Sequence, residues 1–158
     1  MVWVLIPFII SHRASVTNPI VKSFFQILRT ENPDTKIGAA GFCWGGKFSI
    51  SLGQKGYTDT LVVDAIFAGH PSMISLPDDV KEPIAPSSIA AAAEDKRFGP
   101  DHAEQTKAAW KDAEVPTEVV VYEGADHGFC IRGNMNDEKQ KAAIEGSIAQ
   151  VFSFCGVD

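Results

Sequence analysis

Cys43 lies in a glycine-rich segment that could present its thiol as a nucleophile. The segment reads Gly41-Phe42-Cys43-Trp44-Gly45-Gly46; it follows a predicted strand and opens a predicted helix. A sharp strand-to-helix turn of this kind, a nucleophile elbow, exposes one side chain at its apex. It requires small residues two positions before and two positions after that side chain. Gly41 and Gly45 meet this requirement, so the segment predicts an elbow with Cys43 at its apex.

The helix that begins after Cys43 would activate the thiol. The positive end of a helix dipole favours thiolate over thiol. The backbone N–H of Trp44 would point at the oxyanion that forms when the sulfur attacks a carbonyl. The alternative is that Cys43 is a small buried hydrophobic residue beside an ordinary glycine-rich turn.

His127 is the predicted base. It lies in the segment 122–129, directly after a valine-rich predicted strand, and it follows the nucleophile in the chain order that an elbow enzyme requires. Of the other histidines, His12 precedes the elbow and does not fit that order. His70 follows another predicted strand and could line the cleft, although a structural role is simpler. His102 lies beside a helix start and is predicted to be solvated.

The acid of the site must lie between the nucleophile and the base, just beyond a strand. Glu94 and Asp95 both end a predicted strand. We favour Asp95, which would fix the tautomer of His127 and stabilise the imidazolium. Asp126 is adjacent to the base and is interpreted as a loop residue, and Asp64 as a structural one.

These residues need a sheet to bring them together, and the pattern of elements predicts one. Apolar β-rich runs alternate with amphipathic helical segments, which indicates a parallel sheet with helices on both faces, about four to five strands in three α/β/α layers. Asn18 and Pro19 predict the cap and first residue of a helix that ends at residues 32–34. Further strands are predicted at 36–42, 61–68, 88–93 and 117–122, with helices at 45–52, 100–113 and 137–154.

Two further expectations concern the ends of the chain. The last helix should turn an apolar face inward, made of Ala143, Ile144, Ile148, Val151 and Phe152. Residues 2–10 are interpreted as a buried strand or a poorly ordered start. No repeat or linker divides the chain, so one domain over residues 1–158 is expected, with an atypical start at 1–17.

Composition excludes several classes of function. The 158 residues carry a net charge of −6 without a basic stripe, which argues against nucleic acid as a partner. No apolar run approaches the roughly 20 residues that span a bilayer, so no membrane role is expected. The three cysteines have neither paired nor C-x-x-C spacing, which predicts a reducing cytoplasmic location and no structural zinc.

From residue 10 to the C-terminus, the chain resembles the dienelactone hydrolases, a family of the α/β-hydrolase fold. The resemblance lies in the elbow 41–46 with cysteine as its nucleophile, in His127-Gly128-Phe129 followed by Arg132-Gly133, and in the acid between them. It implies a carboxymethylenebutenolidase-like hydrolase of esters or lactones that needs no metal or organic cofactor. Arg132 would bind a substrate carboxylate, with Trp44 and Phe129 also contacting the substrate.

The resemblance also raises alternatives. Family members carry several strands ahead of the helix at Pro19, and one of their loops supplies a second oxyanion N–H. We therefore expect an N-terminally truncated form, whose uncovered sheet could support homo-oligomers or leave an inactive remnant that binds a partner. A glutamine amidotransferase-like domain is disfavoured because Gly128-Phe129, not Pro-Glu, follows the late histidine. A metal site of Cys43, His127 and Cys130 is also disfavoured.

Overall fold

The computed structural model describes residues 11–156, which form two compact units that divide between Thr35 and Lys36. The expectation for residues 2–10 lies outside the described part of the chain. The expectation of a single domain stays a prediction.

The first unit contains helix α1, Ala14–Glu31. Its start was predicted wrongly, because Pro19 lies inside the helix and Arg13 occupies the N-cap. The first turn closes ahead of the proline: the N–H groups of Val16 and Thr17 both donate to the carbonyl of Arg13. Proline lacks an N–H, so at this position it leaves a single helical carbonyl without its donor.

Helix α1 ends where it was predicted to end, at the Asn32-Pro33 sequence. Asn32 is the C-cap, and its backbone N–H and its side-chain Nδ2 each donate to the carbonyl of Leu28 at 3.0 Å. The next residue, Pro33, has no N–H with which to continue the helix. Hydrogen bonds from Asn32 thus satisfy a carbonyl that would otherwise have no donor at the helix end.

The second unit is built around four parallel strands in the order β1-β2-β3-β4. This architecture confirms the predicted fold class. The short helix α4 was not predicted, and β2 begins four residues later than expected. The elements are β1 Gly38–Phe42, α2 Trp44–Leu52, β2 Ala65–Gly69, β3 Ser87–Ala92, α3 Pro100–Ala109, β4 Thr117–Tyr122, α4 Phe129–Arg132 and α5 Glu138–Cys155.

Helices cover the two faces of this sheet. A Cβ on Gly53, the C-cap of α2, would lie 3.2 Å from Ile66, which places that side chain under α2. The next residue, Phe67, points to the opposite face and packs in a core cluster with Ala143 of α5. Successive side chains of a strand alternate between faces, so α2 and α5 lie on opposite sides of the sheet.

The register brings the carboxyl ends of all four strands to one edge. Phe42 pairs with Gly69, Gly69 with Ala90, and Ala92 with Tyr122. The loops that follow the strands therefore begin side by side, which is where ligands bind in open α/β sheets.

The buried face of α5 differs from the predicted one. Ala143 is buried, but Ile148 and Phe152 are 48% and 49% exposed. Gln150 is buried in their place because its amide is fully used. Its Nε2 donates to Ser88 and to the carbonyl of Ile89, and its Oε1 accepts from Tyr122. A satisfied amide can occupy a core position that hydrophobic periodicity assigns to an apolar residue.

No helix within residues 11–156 is long and apolar enough to cross a bilayer.

Candidate active site

Cys43 lies at the apex of the turn between β1 and α2. Its φ of 51° is in a region that non-glycine residues seldom occupy, and it serves as the N-cap of α2. Three backbone hydrogen bonds hold this conformation: Cys43 N–H donates to Gly69, and its carbonyl accepts from Gly46 and Ser72. Strained residues of this kind persist only where surrounding contacts over-determine them, and they concentrate at functional sites.

Two glycines make the turn possible: Gly41, as predicted, and Gly46 in place of the predicted Gly45. A Cβ on Gly41 would overlap the carbonyl oxygen of Gly45 and lie 2.8 Å from Oγ of Ser49. A Cβ on Gly45 would meet no atom of the described residues within 4 Å, so the expected need for a small residue there was wrong. The second tight position is Gly46, where a Cβ would lie 2.9 Å from that of Pro71.

His127 reaches Cys43 from the loop after β4. Its Nε2 lies 3.0 Å from Sγ of Cys43, and its Nδ1 lies 2.7 Å from Oδ2 of Asp95. Gly128, which follows, has φ of 103°, a conformation that favours glycine and turns the chain into α4. The three predicted residues thus form one hydrogen-bonded line.

Asp95 is fixed at the end of that line. Its side chain is 1% exposed, and its second oxygen, Oδ1, accepts a hydrogen bond of 2.8 Å from the N–H of Arg97. The backbone of the alternative acid, Glu94, donates to the carbonyl of Ala125, while the carboxylate in contact with His127 is that of Asp95. Of the two carboxylates that the sequence left open, the structure places Asp95 against the imidazole.

The two described thiols have opposite electrostatic settings. Burial raises the pKa of Cys43, but the hydrogen bonds with His127, Ser72 and the backbone of Trp44 outweigh it, so the pKa is lowered overall. Burial raises the pKa of Cys130 to about 11. The thiolate is the nucleophilic form, so we expect Cys43 to be the more reactive of the two at neutral pH.

His70 is a buried neighbour of His127. It directly follows β2, is 1% exposed, and its ring lies 5.1 Å from that of His127. Neither ring nitrogen has a hydrogen-bond partner among residues 11–156. The sequence suggested that this histidine follows a strand at the cleft, but nothing in the sequence indicated its contact with His127.

The three residues expected to contact substrate differ in their exposure to solvent. Arg132 is exposed, and its guanidinium lies over Gly128, 2.8 Å from where a Cβ would be. Trp44 is partly exposed, with its ring edge-on to Phe48. Phe129 is fully buried in the core cluster, so it presents no surface to a substrate in this structure.

A separate groove lies at the other end of the sheet, beside the start of β4. It contains none of the three aligned residues and so is distinct from the site. Its lining consists of Pro86, Pro116, Glu118, Val120, Gly146, Ala149, Gln150, Ser153 and Phe154. Within residues 11–156, no group of three or more His, Cys, Asp or Glu side chains is arranged to hold a metal ion.

Comparisons with known proteins agree with this architecture. Residues 11–156 match the model of the dienelactone hydrolase family. The chain is 30% identical over 139 residues to the hydrolase pyvD of Aspergillus violaceofuscus, covering 88% of this chain and 54% of that protein. It is 29% identical over 144 residues to the hydrolase tropI of Talaromyces stipitatus, covering 91% and 54%. The chain therefore spans about half the length of these two relatives.

Among solved structures, the chain is similar to a thermophilic esterase of Thermogutta terrifontis with bound butyrate. The TM-score is 0.64 at 16% identity, and the match covers 86% of this chain and 64% of the esterase. At this identity the similarity concerns the fold.

Proposed function

Because this chain belongs to the dienelactone hydrolase family, we propose that it hydrolyses a carboxylic ester or lactone through a catalytic triad of Cys43, His127 and Asp95. The observation that carries the proposal is the continuous line of hydrogen-bonding contacts, 2.7 Å from Asp95 to His127 and 3.0 Å from His127 to the sulfur. A nucleophile, a base and a group that orients the base are the components of nucleophilic acyl transfer.

In the first step, His127 takes the thiol proton and the sulfur of Cys43 attacks the carbonyl carbon. The carbonyl π electrons move to oxygen, and the N–H of Trp44 at the start of α2 stabilises the resulting oxyanion. The oxyanion collapses to a thioester and breaks the bond to the alkoxide, which receives its proton from the imidazolium of His127. In a lactone the alkoxide remains attached to the acyl group.

Water completes the cycle. His127, neutral again, removes a proton from a water molecule as it attacks the thioester carbon. The second tetrahedral intermediate expels the sulfur, which is reprotonated, and the carboxylic acid leaves. Asp95 holds Nδ1 of the imidazole throughout, so that Nε2 faces the sulfur and the attacking water.

Arg132 suggests an anionic substrate. Its exposed guanidinium lies beside the loop that carries His127. A guanidinium fork binds a carboxylate through two parallel hydrogen bonds, so an ester or lactone that carries a second, free carboxylate suits this position. Trp44, partly exposed at the elbow, supplies an apolar surface next to the nucleophile.

A second candidate is a binding module without activity. Within the described residues, β1 hydrogen-bonds with β2 alone, and Gly38 and Ala40 are exposed. An open strand edge can pair with another chain, including a second copy of this one. A binding module predicts association without turnover.

Turnover of p-nitrophenyl acetate separates the two candidates. We expect the 158-residue chain to hydrolyse this ester, the Cys43→Ala variant to lose the activity, and the Cys130→Ala variant to keep it. If wild type and Cys43→Ala release p-nitrophenol at the same rate while the chain sediments as an oligomer, the binding module is the correct reading.

A further inference from the structure

Ser72 contacts the proposed nucleophile from the loop after β2. Its side-chain oxygen lies 3.6 Å from Sγ of Cys43, and the residue is 6% exposed. We propose that the Ser72 hydroxyl is a fourth catalytic group, which donates a hydrogen bond to the Cys43 thiolate and sets its reactivity. This inference rests on the proposed function, because it assigns a role at the same sulfur.

The backbone holds Ser72 to the elbow itself. The N–H of Ser72 donates to the carbonyl of Cys43 at 3.0 Å. The preceding residue, Pro71, packs so closely on Gly46 that a Cβ there would come within 2.9 Å of the proline. The two segments that carry the hydroxyl and the sulfur are therefore joined to each other by a backbone hydrogen bond.

The far side of the loop is anchored to α2. Nζ of Lys47 donates to the carbonyl of Met73 at 2.8 Å and forms an ion pair of 2.7 Å with Asp79. Asp79 in turn accepts a hydrogen bond of 2.7 Å from the N–H of Ser75. A donor fixed in this way needs little reorganisation when charge develops beside it.

The two neighbours of the sulfur have complementary roles. His127 accepts the thiol proton, and after that transfer the sulfur is an acceptor only. The Ser72 hydroxyl can then donate to it, and a hydrogen bond to an ion is about twice as strong as one between neutral groups. Ser72 therefore stabilises the thiolate more than the thiol.

Electrostatics agree with this assignment. Burial raises the pKa of Cys43, and the hydrogen bonds with His127, Ser72 and the Trp44 backbone together lower it further than burial raises it. Among the described residues, His127 contacts the sulfur, its ring contacts Asp95 and His70, and the charge of Arg132 on α4 acts on His70. These groups are unchanged when the Ser72 hydroxyl is removed, so its effect can be measured by itself.

Removal of the hydroxyl should slow alkylation of Cys43 at low pH without slowing it at high pH. Without the hydrogen bond, a smaller fraction of Cys43 is thiolate at low pH, so alkylation slows. The remaining thiolate is more basic and therefore intrinsically more nucleophilic, so the rate at high pH does not fall. A loss of structure or access would slow the reaction at every pH.

The test is the rate of Cys43 alkylation by iodoacetamide from pH 5 to pH 10, read on the Cys43 peptide by mass spectrometry. For Ser72→Ala we expect a rate about three- to tenfold lower than wild type at pH 6 and an equal or higher rate at pH 10. Ser75→Ala makes the same chemical change at an exposed position of the same loop and should match wild type. If the alanine variant does not fold, Ser72→Thr and Ser72→Val repeat the comparison, because threonine keeps the hydroxyl and valine has a methyl group in its place.

Profiles that superimpose, or that differ by the same factor at every pH, would overturn the role of Ser72. Neither result depends on ester hydrolysis. A shifted alkylation profile in a chain that does not turn over p-nitrophenyl acetate would remove the proposed function and leave Ser72 as the partner of the thiolate. Turnover through Cys43 with an unshifted profile would do the reverse.

Discussion

The ring of His70 lies against that of His127 with their centroids 5.1 Å apart and their planes at 71°. His70 is fully enclosed, and in the described part of the chain neither of its nitrogens has a hydrogen-bond partner. Burial, together with the smaller effect of the charge that His127 carries when protonated, lowers the pKa of His70 to about 4. His70 is therefore neutral at neutral pH, and His127 has an uncharged neighbour.

This burial predicts a pH dependence of folding stability. Between about pH 4 and 6.5 the unfolded chain binds a proton at His70 that the folded chain does not, so stability falls as the pH is lowered through this window. We expect His70 to account for a loss of about 2–3 kcal/mol between pH 7 and pH 4.5. In His70→Phe this part of the loss should be absent, as measured by urea unfolding at the two pH values. Equal losses in both proteins would show that His70 does not remain neutral.

Asp95 should matter through the tautomer of the base. In Asp95→Asn the amide can no longer hold Nδ1–H of His127 as a carboxylate does, so we expect kcat for p-nitrophenyl acetate to fall at least about 10²-fold; the same change in the serine triad costs about 10⁴. Glu94→Gln is the matched control, one residue away with the same loss of charge, and should retain most of the activity. Comparable losses in the two variants would contradict the assignment of Asp95.

The elbow glycines predict opposite effects from one methyl group. A Cβ on Gly41 overlaps the carbonyl of Gly45, so Gly41→Ala forces the main chain to move and should cost about 3 kcal/mol of unfolding free energy. Gly45 has free space and lies in a helix, so Gly45→Ala should be neutral or stabilising by less than about 1 kcal/mol. Thermal and urea unfolding of both variants measure the difference. A strongly destabilised Gly45→Ala would mean that the turn is tighter than the structure shows.

Arg132 should distinguish anionic from neutral esters. For a p-nitrophenyl ester with a free carboxylate, we expect Arg132→Ala to raise KM about fivefold to tenfold, because a charge-assisted hydrogen bond is lost at an exposed position. KM for neutral p-nitrophenyl acetate should not change. Arg132→Lys keeps the charge but loses the planar guanidinium fork, so its KM for the carboxylate ester should lie between those of wild type and Arg132→Ala. If KM changes equally for both esters, the Arg132 side chain does not bind the substrate carboxylate.

The elbow and its partners could be predicted because sequence order and sheet geometry constrain them jointly. Cys43, Asp95 and His127 each follow a predicted strand, and the carboxyl ends of parallel strands meet at one edge. The sulfur and the imidazole are 84 residues apart in the chain and 3.0 Å apart in space for this reason. The choice of Asp95 over Glu94 was weaker, because adjacent residues follow the same strand and only the loop conformation decides which one faces the base.

Contacts that depend on loop conformation could not be predicted. His70 and Ser72 reach the site because the chain after β2 bonds to the ends of both neighbouring strands: His70 N–H donates to Ala90, and Ser72 N–H to Cys43. The buried face of α5 was missed in part for a similar reason, since Gln150 finds its hydrogen-bond partners on β3 and β4. Periodicity describes a helix by itself and contains no information on partners that arrive from distant segments.

Covalent acylation of Cys43 tests the central claim most directly. The chain is mixed briefly with an activated ester, quenched in acid, and analysed by peptide mass spectrometry, with Cys130→Ala and Cys155→Ala as controls beside Cys43→Ala. We predict an acyl group on the Cys43 peptide of the wild type and both controls, and none at any cysteine of Cys43→Ala. Equal labelling of all three variants would contradict the assignment of Cys43 as the nucleophile.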